Sequence, residues 1–596
     1  MSRFGLIPVA VILSATTALA EPQHGIAMYG EPALPPDFAH LPYANPDAPK
    51  GGEIVFGETG SFDSLNPWIQ AGRAPWGTRA HVAEGLMGRS YDEPFTLYGL
   101  LAESVEMSEA RDWIEFHLNP AAEFSDGSPV TVEDVVWSFE TMGEEGHGRY
   151  RRAWDGVESW EQTGEHSVRF NLTGDNRELP LILALRPILK KADWDDREFT
   201  ESSMEPWIAS GPYVIGEADQ GRSVSFERNP DYWGADLGFN VGKHNFDTIR
   251  YEFFGDSEAV WQAFTSGETN HFVENDPGRW VDRYDFPRVR NGEVVQSIVP
   301  HERPSGMSGL VFNTRNPLFE DVRVRDALIH AFNFEFINET LNAGVPQRIE
   351  SYFDNSILAF DGAAEGMELA LLEPFAGDLP ADALEAYELP SGTADARNRG
   401  NLRRATQLLA DAGWTVQDGV LRNEEGEAFT FEILINSSLN EPVTNIYADA
   451  LERLGIDANI TLLVDNAQYT ERRDNYDFDM ITYTWGLSLS PGTEQYRYWG
   501  SEGREETGTR NMPGIDNPAV DASIDAILNA GSRDEFLAAT RALDRVLTTG
   551  RYVVPFWFTP EVRVAHAAEI SWDADNLPIY GYWIGFMPDA WWFEAE

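Results

Sequence analysis

The chain has 596 residues and carries 98 aspartates and glutamates against 44 lysines and arginines, a formal net charge of -54 at pH 7. Such an excess disfavours nucleic acid and anionic membrane surfaces as partners and points instead to a solvated acidic surface. Cysteine is absent, which excludes disulfides, thiolate metal sites, a cysteine nucleophile and lipid attachment through a lipobox cysteine.

The opening "MSRFGLIPVAVILSATTALA" has one basic residue, a short apolar run and small residues at Ala18 and Ala20. It reads as a secretory signal peptide over residues 1–20, cleaved after Ala20, because the run is too short to span a bilayer. The expected location is a periplasm, without direct membrane insertion. Residues 21–50 are Pro-rich and aperiodic and predict an extended arm wrapped over the fold. "GEIVFGE" then predicts a strand, closed by the turn-rich "TGSFDSLNP".

In "FSDGSPVTVEDVVWSFETMG", Asp126-Gly127 marks a turn and Thr131 is a helix N-cap. Glu133 and Asp134 fall in the first helical turn, where the helix dipole favours anions. Those acids therefore read as helix chemistry, not as an acid/base pair. "SGPYVI", "SVSFER" and "FDTIRYEFF" predict strands, with a tight turn at Asn229–Tyr232. "SEAVWQAFTSG" predicts a helix and "SGLVFNT" another strand.

"DVRVRDALIHAFNFEFINETLNAG" predicts one long helix, because Val324, Ala327, Leu328, Ala331 and Phe332 share a face. "LRRATQLLADAGW" predicts a helix stopped by Gly413. Strand "FTFEILI", helix "NIYADALERLG" and strand "ANITLLV" continue the alternation. In "MITYTWGLSLSPG", Ile481, Tyr483, Trp485, Leu487 and Leu489 alternate with Thr482, Thr484, Gly486, Ser488 and Ser490, the pattern of a strand with one apolar and one small neutral face. Two helices over "PAVDASIDAILNAG" and "RDEFLAATRALDRVL" precede the apolar "YVVPFWF". Together these predict a mixed α/β fold. "VPHERPSGMSG" and "YVVPFWF" are candidate crossings between two lobes.

No Walker loop, dinucleotide fingerprint or HExxH occurs. "SGMSGL" fails the G-x-S-x-G spacing of a nucleophile elbow. Asp474, Asp477 and Asp479 in "DNYDFD" suit a solvated acidic turn better than a cation site. Carboxylates are so numerous that a glycosidase-like pair carries no weight. No catalytic residue, cofactor or metal site is assigned.

The stretches "FSDGSPVTVEDVVWSFE", "SGPYVI", "RNPDYWG", "FNTRNPLFEDVRVRDAL" and "LLADAGW" resemble the family 5 extracytoplasmic solute-binding proteins, the oligopeptide- and dipeptide-binding components of ABC importers. "HGIAMYGEPALPPDF", "YANPDAPKGG", "FDSLNP", "VDNAQYTERRDNYDFD", "WGLSLSPGTEQYRYWGS" and "ALDRVL" are similar to the Yej-type branch, which takes up oligopeptides and microcin C. The resemblance runs from His24 to the terminal tryptophans.

It implies an α/β, two-lobe periplasmic-binding-protein fold (type II, cluster C) with a hinge. Lobe one would span 51–305 with an inserted subdomain over about 76–204, lobe two 306–555, and 556–596 would return to lobe one. It implies no enzyme but a monomeric carrier of oligopeptides that docks on a permease of two transmembrane subunits driven by a cytoplasmic ATPase. The implied contact residues are Phe62, Asp63, Ser64, Asn313, Thr314, Tyr483, Thr484, Trp485, Gly486, Leu487, Ser488 and Arg497. An extended peptide would pair its backbone with Thr484–Ser488 under the cover of Trp485.

Many relatives carry an aspartate for the ligand's ammonium group where this chain has Ser488. Asp63 is a candidate replacement or a turn cap, and Arg497 a candidate carboxylate partner or a surface ion pair. Murein peptides or oligosaccharides are the alternative ligands, and a secreted hydrolase is a distant alternative.

Overall fold

A computed structural model describes residues 22–174 and 176–594. The expected signal peptide and its cleavage point at Ala20 lie outside the described residues. Two large sheets organise the chain. The first has seven strands in the order Val294–Pro300, Glu561–Ala567, His271–Glu274, Glu53–Thr59, Thr248–Phe254, Ser223–Arg228, Tyr213–Asp219. The second has five, in the order Asp457–Leu462, Thr430–Ile435, Met480–Trp485, Met307–Phe312, Val553–Pro555.

The chain passes between the sheets twice, once after Pro300 and once after Pro555. Gly306 completes the first passage at φ +65, where any side chain would strike the Trp485 carbonyl. Only glycine combines that dihedral with that approach.

Strand direction fixes which edges face each other. Val294–Pro300 and His271–Glu274 both pair antiparallel with Glu561–Ala567, while Glu53–Thr59 runs parallel to His271–Glu274 and Thr248–Phe254. Four strands therefore end at the edge where Pro300 leaves. In the second sheet Met480–Trp485 and Val553–Pro555 run antiparallel to Met307–Phe312, and Thr430–Ile435 runs parallel to Met480–Trp485. Their carboxyl ends point back toward the crossing. Each sheet thus presents strand carboxyl ends to the other, the edge at which open α/β sheets receive ligands.

A four-stranded antiparallel sheet (Ala102–Met107, Trp113–Leu118, Ser167–Leu172, Val157–Gln162) is inserted between the first and second strands that the chain contributes to the seven-stranded sheet. Its core gathers Phe116, Phe139 and Phe170. The helix Val132–Glu144 begins as predicted at Thr131, whose hydroxyl accepts from the Asp134 N–H at 3.2 Å while the Asp134 carboxylate accepts from the Thr131 N–H at 3.0 Å. That reciprocal capping box explains the local acids.

One predicted helix is two. Val322–Ala331 stops at Phe332, and Phe334–Leu341 starts from an Asn333 cap. The break is built by tertiary contacts: the Asn333 amide donates to the Thr393 and Asp395 carbonyls, both at 2.9 Å, and Phe332 stacks on Phe556 at 5.8 Å. The strand in "MITYTWGLSLSPG" also ends early, at Trp485.

Within the arm, Gly25–Ala27 pairs antiparallel with Thr96–Gly99 of a small three-stranded sheet. Among the described residues no helix is long and apolar enough to cross a membrane.

Candidate functional site

The site lies where the two carboxyl edges meet. On the second sheet, Thr430–Ile435 reaches only Met480 and Ile481 of the neighbouring strand. Among the described residues, no strand lies beside that edge from Thr482 onward. The Phe556 N–H donates to the Ser308 carbonyl at 2.8 Å, so Ser308 turns its backbone toward the outer strand and Gly309 turns its own toward Tyr483. Strand alternation then aims the N–H and C=O of Thr484 at the unpaired edge.

The Tyr469 hydroxyl covers the Thr482 carbonyl at 3.2 Å, and the Thr484 hydroxyl lies 2.9 Å from that of Ser308. A cavity of about 270 Å³ opens here, lined by Asn436, Tyr469, Arg473, Tyr483 and Thr484. Gly486 follows, exposed, and a Cβ placed on it would meet nothing within 4 Å.

Trp485 is 1% exposed. Its ring packs 4.6 Å from Tyr483 and 4.8 Å from Trp499, and its Nε1 donates to the Arg510 carbonyl at 3.0 Å. This tryptophan holds the strand from behind. Leu487 is half-buried, and Ser488 is exposed, its hydroxyl accepting from the Ser490 N–H at 3.2 Å. Arg497 is also exposed, 3.4 Å from the Gly508 carbonyl.

Asn313 and Thr314 follow the other end of Met307–Phe312, away from the crossing. The Asn313 amide donates to the Tyr476 and Phe478 carbonyls at 3.1 and 2.8 Å, and the Thr314 hydroxyl to that of Pro513 at 2.8 Å. Both fasten loops. The acids of "DNYDFD" are likewise engaged within the protein: Asp474 pairs with Arg473, Asp477 with Arg472, and Asp479 accepts from Asn316 and from the Glu432 N–H.

On the first sheet, Phe62 is buried against Phe253 and Ser64 is fully buried. Asp63 is exposed and accepts from the Arg73 N–H at 2.6 Å, which shapes the loop it begins. A cavity of about 390 Å³ at the strand ends is lined by Gly57, Glu58, Thr59, Trp76, Asn275 and Tyr582, among others. Trp76 is 47% exposed, far more than a tryptophan packed in a core. The Tyr582 hydroxyl meets His271 Nε2 at 2.9 Å, and burial lowers that imidazole to about 3, leaving it neutral.

The structure therefore brings Tyr483, Thr484 and Gly486 to one edge, while Asp63 stands in the loop that follows Glu53–Thr59 on the first sheet. Sequence reasoning missed Trp76, Tyr582, Tyr469, Arg473 and Asn436. Only the aromatic "YGYWIGF" near the C-terminus offered a signal. Among the described residues no group of three or more His, Cys, Asp or Glu could hold a metal ion.

Two lobes, two crossings and facing carboxyl edges define a binding protein of the periplasmic type. Residues 96–507 match the model of the bacterial extracellular solute-binding proteins, family 5 (middle), and the chain belongs to that family. The peptidoglycan-binding protein YepA of Agrobacterium fabrum is 39% identical over 98% of this chain and 96% of its own length. YejA of the same organism, described as a probable peptide-binding protein, is 38% identical over 98% of this chain and 96% of its own. The oligopeptide-binding protein AppA of Bacillus subtilis, solved with a nonapeptide, shares the fold with a TM-score of 0.60 at 19% identity, covering 92% of this chain and 100% of that one.

Proposed function

We propose that this protein is the periplasmic capture component of an ABC importer, that it takes oligopeptides between its lobes and delivers them to a two-subunit permease driven by a cytoplasmic ATPase. It acts as a monomer and leaves its ligand chemically unchanged. The unpaired strand edge at Thr484 carries this reading, because a peptide of any sequence can add its backbone to such an edge. The peptide-binding relatives support it.

A second reading has its own support in YepA: the captured peptide is the stem of a peptidoglycan fragment. Mass spectrometry of ligands retained through native purification tests both. Oligopeptides are expected, and muropeptides would select the second reading. Oligosaccharides alone, or peptides cleaved on prolonged incubation with the protein, would overturn both.

A further inference from the structure

A second cavity, of about 230 Å³, adjoins the one at the strand ends of the first sheet and shares Trp76, Ile584 and Met587 with it. Its charges are unusual for so acidic a chain. Arg79, Arg89 and Lys243 line it, and among the described residues Asp589 is the only carboxylate that does. Among the described residues, no carboxylate stands within 4.0 Å of any of the three cations.

Each cation is placed by its own segment. Arg79 sits on the short helix Trp76–Ala80, and its guanidinium makes no hydrogen bond with any described residue. Arg89 ends the strand Met87–Arg89, donates to the Tyr580 hydroxyl at 2.7 Å and has an unpartnered Nε. Lys243 is 4% exposed, and its ammonium stands 4.3 Å from the centre of the Phe239 ring. Glu84 lies behind the cavity, its carboxylate held by the Tyr232 hydroxyl and the Trp233 Nε1. Burial lowers the hold of Lys243 on its proton, with Asp589 and then Glu84 opposing. Three cations facing one anion in a half-apolar chamber are an incomplete set, and a buried cation without a partner is costly.

We propose that this chamber is an anion subsite that receives the terminal carboxylate of a captured peptide, its apolar walls at Trp76 and Phe239 taking the last side chain. The inference rests on the peptide reading above. Trp76, Ile584 and Met587 wall both this cavity and the one at the strand ends, which sets the chamber beside a ligand lying between the lobes. Arg79 and Arg89 supply planar donors suited to a carboxylate, and Lys243 a compact charge behind them.

The test offers the protein equal amounts of a random tetrapeptide library with free carboxyl ends and the same library as C-terminal amides. Peptides that co-elute with the protein are quantified by mass spectrometry. Free acids are expected to be enriched roughly tenfold or more, the worth of a charge-assisted hydrogen bond. Arg79→Gln and Lys243→Met, each checked for an unchanged melting curve, are expected to retain peptides while losing that preference. Equal retention of acids and amides by the native protein overturns the subsite and leaves peptide binding intact. Retention of neither library overturns the peptide reading and the subsite together. Undiminished preference in both variants overturns the assignment to this chamber.

Discussion

The ring of Tyr29 stacks on that of Phe536, centroids 4.0 Å apart and 20° from parallel. Tyr29 follows the strand Gly25–Ala27, which pairs beside the inserted sheet of lobe one, whereas Phe536 lies on the helix Arg533–Thr549 that runs into the last strand of the second sheet. The Tyr29 hydroxyl also donates to the Ile527 carbonyl at 3.3 Å. The arm therefore reaches across both lobes. Tyr29→Ala removes a stacked pair worth about 0.5–1.5 kcal/mol, and the ligand-free protein is expected to open further. Small-angle scattering should show a larger radius of gyration than the native chain, and an unchanged radius would show that the arm does not restrain the lobes.

Trp485 and Gly486 are neighbours with opposite expected phenotypes. Emptying the enclosed site of Trp485 by Trp485→Ala should cost about 3–5 kcal/mol of stability, read as a lowered melting temperature. Gly486→Val meets open space in the ligand-free protein and should melt like the native chain. If a peptide backbone passes this edge, the branched side chain stands in its way, and calorimetric affinity should fall on the order of tenfold or more. Normal affinity in Gly486→Val would move the ligand off the edge.

A side chain at position 492 would collide with the Glu178 carboxylate, so the inserted subdomain touches the second lobe there. Glu494 accepts from the Gly492 N–H at 3.1 Å, and burial together with that neighbouring carboxylate pushes Glu178 up to about 7 from its ordinary 4.5. Arg111 and Arg177 lie nearby, where they act on Tyr29. An acid whose pKa rises on entering a contact binds a proton there, so the contact is strongest below its free pKa and weakens as pH climbs toward 7. Scattering at roughly pH 5 and pH 8 should show a more compact protein at the lower value. Glu178→Gln should abolish the difference, and a persisting difference would assign it to another group.

The net charge of -54 should steer cationic peptides to the cleft at low ionic strength. Stopped-flow association of a Lys-containing and a Glu-containing peptide of equal length should differ at low salt and converge at high salt. Equal rates at low salt would show that the surface field does not extend to the cleft mouth.

Local chemistry was legible in the sequence and convergence was not. Thr131 could be read as a cap because a capping box lies within four consecutive residues. The apolar period of residues 322–341 gave no sign of the break, since Asn333 becomes a cap only through carbonyls some sixty residues downstream. Alternation found the strand at Met480 but continues past its end at Trp485, whose carbonyl lies against Gly306, the residue just before the adjoining strand. The same alternation marked Trp485 as apolar without telling a ligand from Trp499. Arg79 and Arg89 stand ten residues apart, but Lys243 and Asp589 come from far along the chain, and the four share no spacing that a sequence could display.

The position of Glu561–Ala567 in the first sheet bears on how the chain is made. This late strand lies between Val294–Pro300 and His271–Glu274, and the latter touches Glu53–Thr59 only at His271. As the chain emerges amino end first, the second sheet has all its strands before the first can be finished. Until residue 567 arrives, two strand edges stand open to any passing chain, the condition that invites misassembly. A nascent chain cut short before Glu561 would therefore contain a complete second sheet and a first sheet primed to aggregate, which makes the last forty residues the gatekeepers of its maturation.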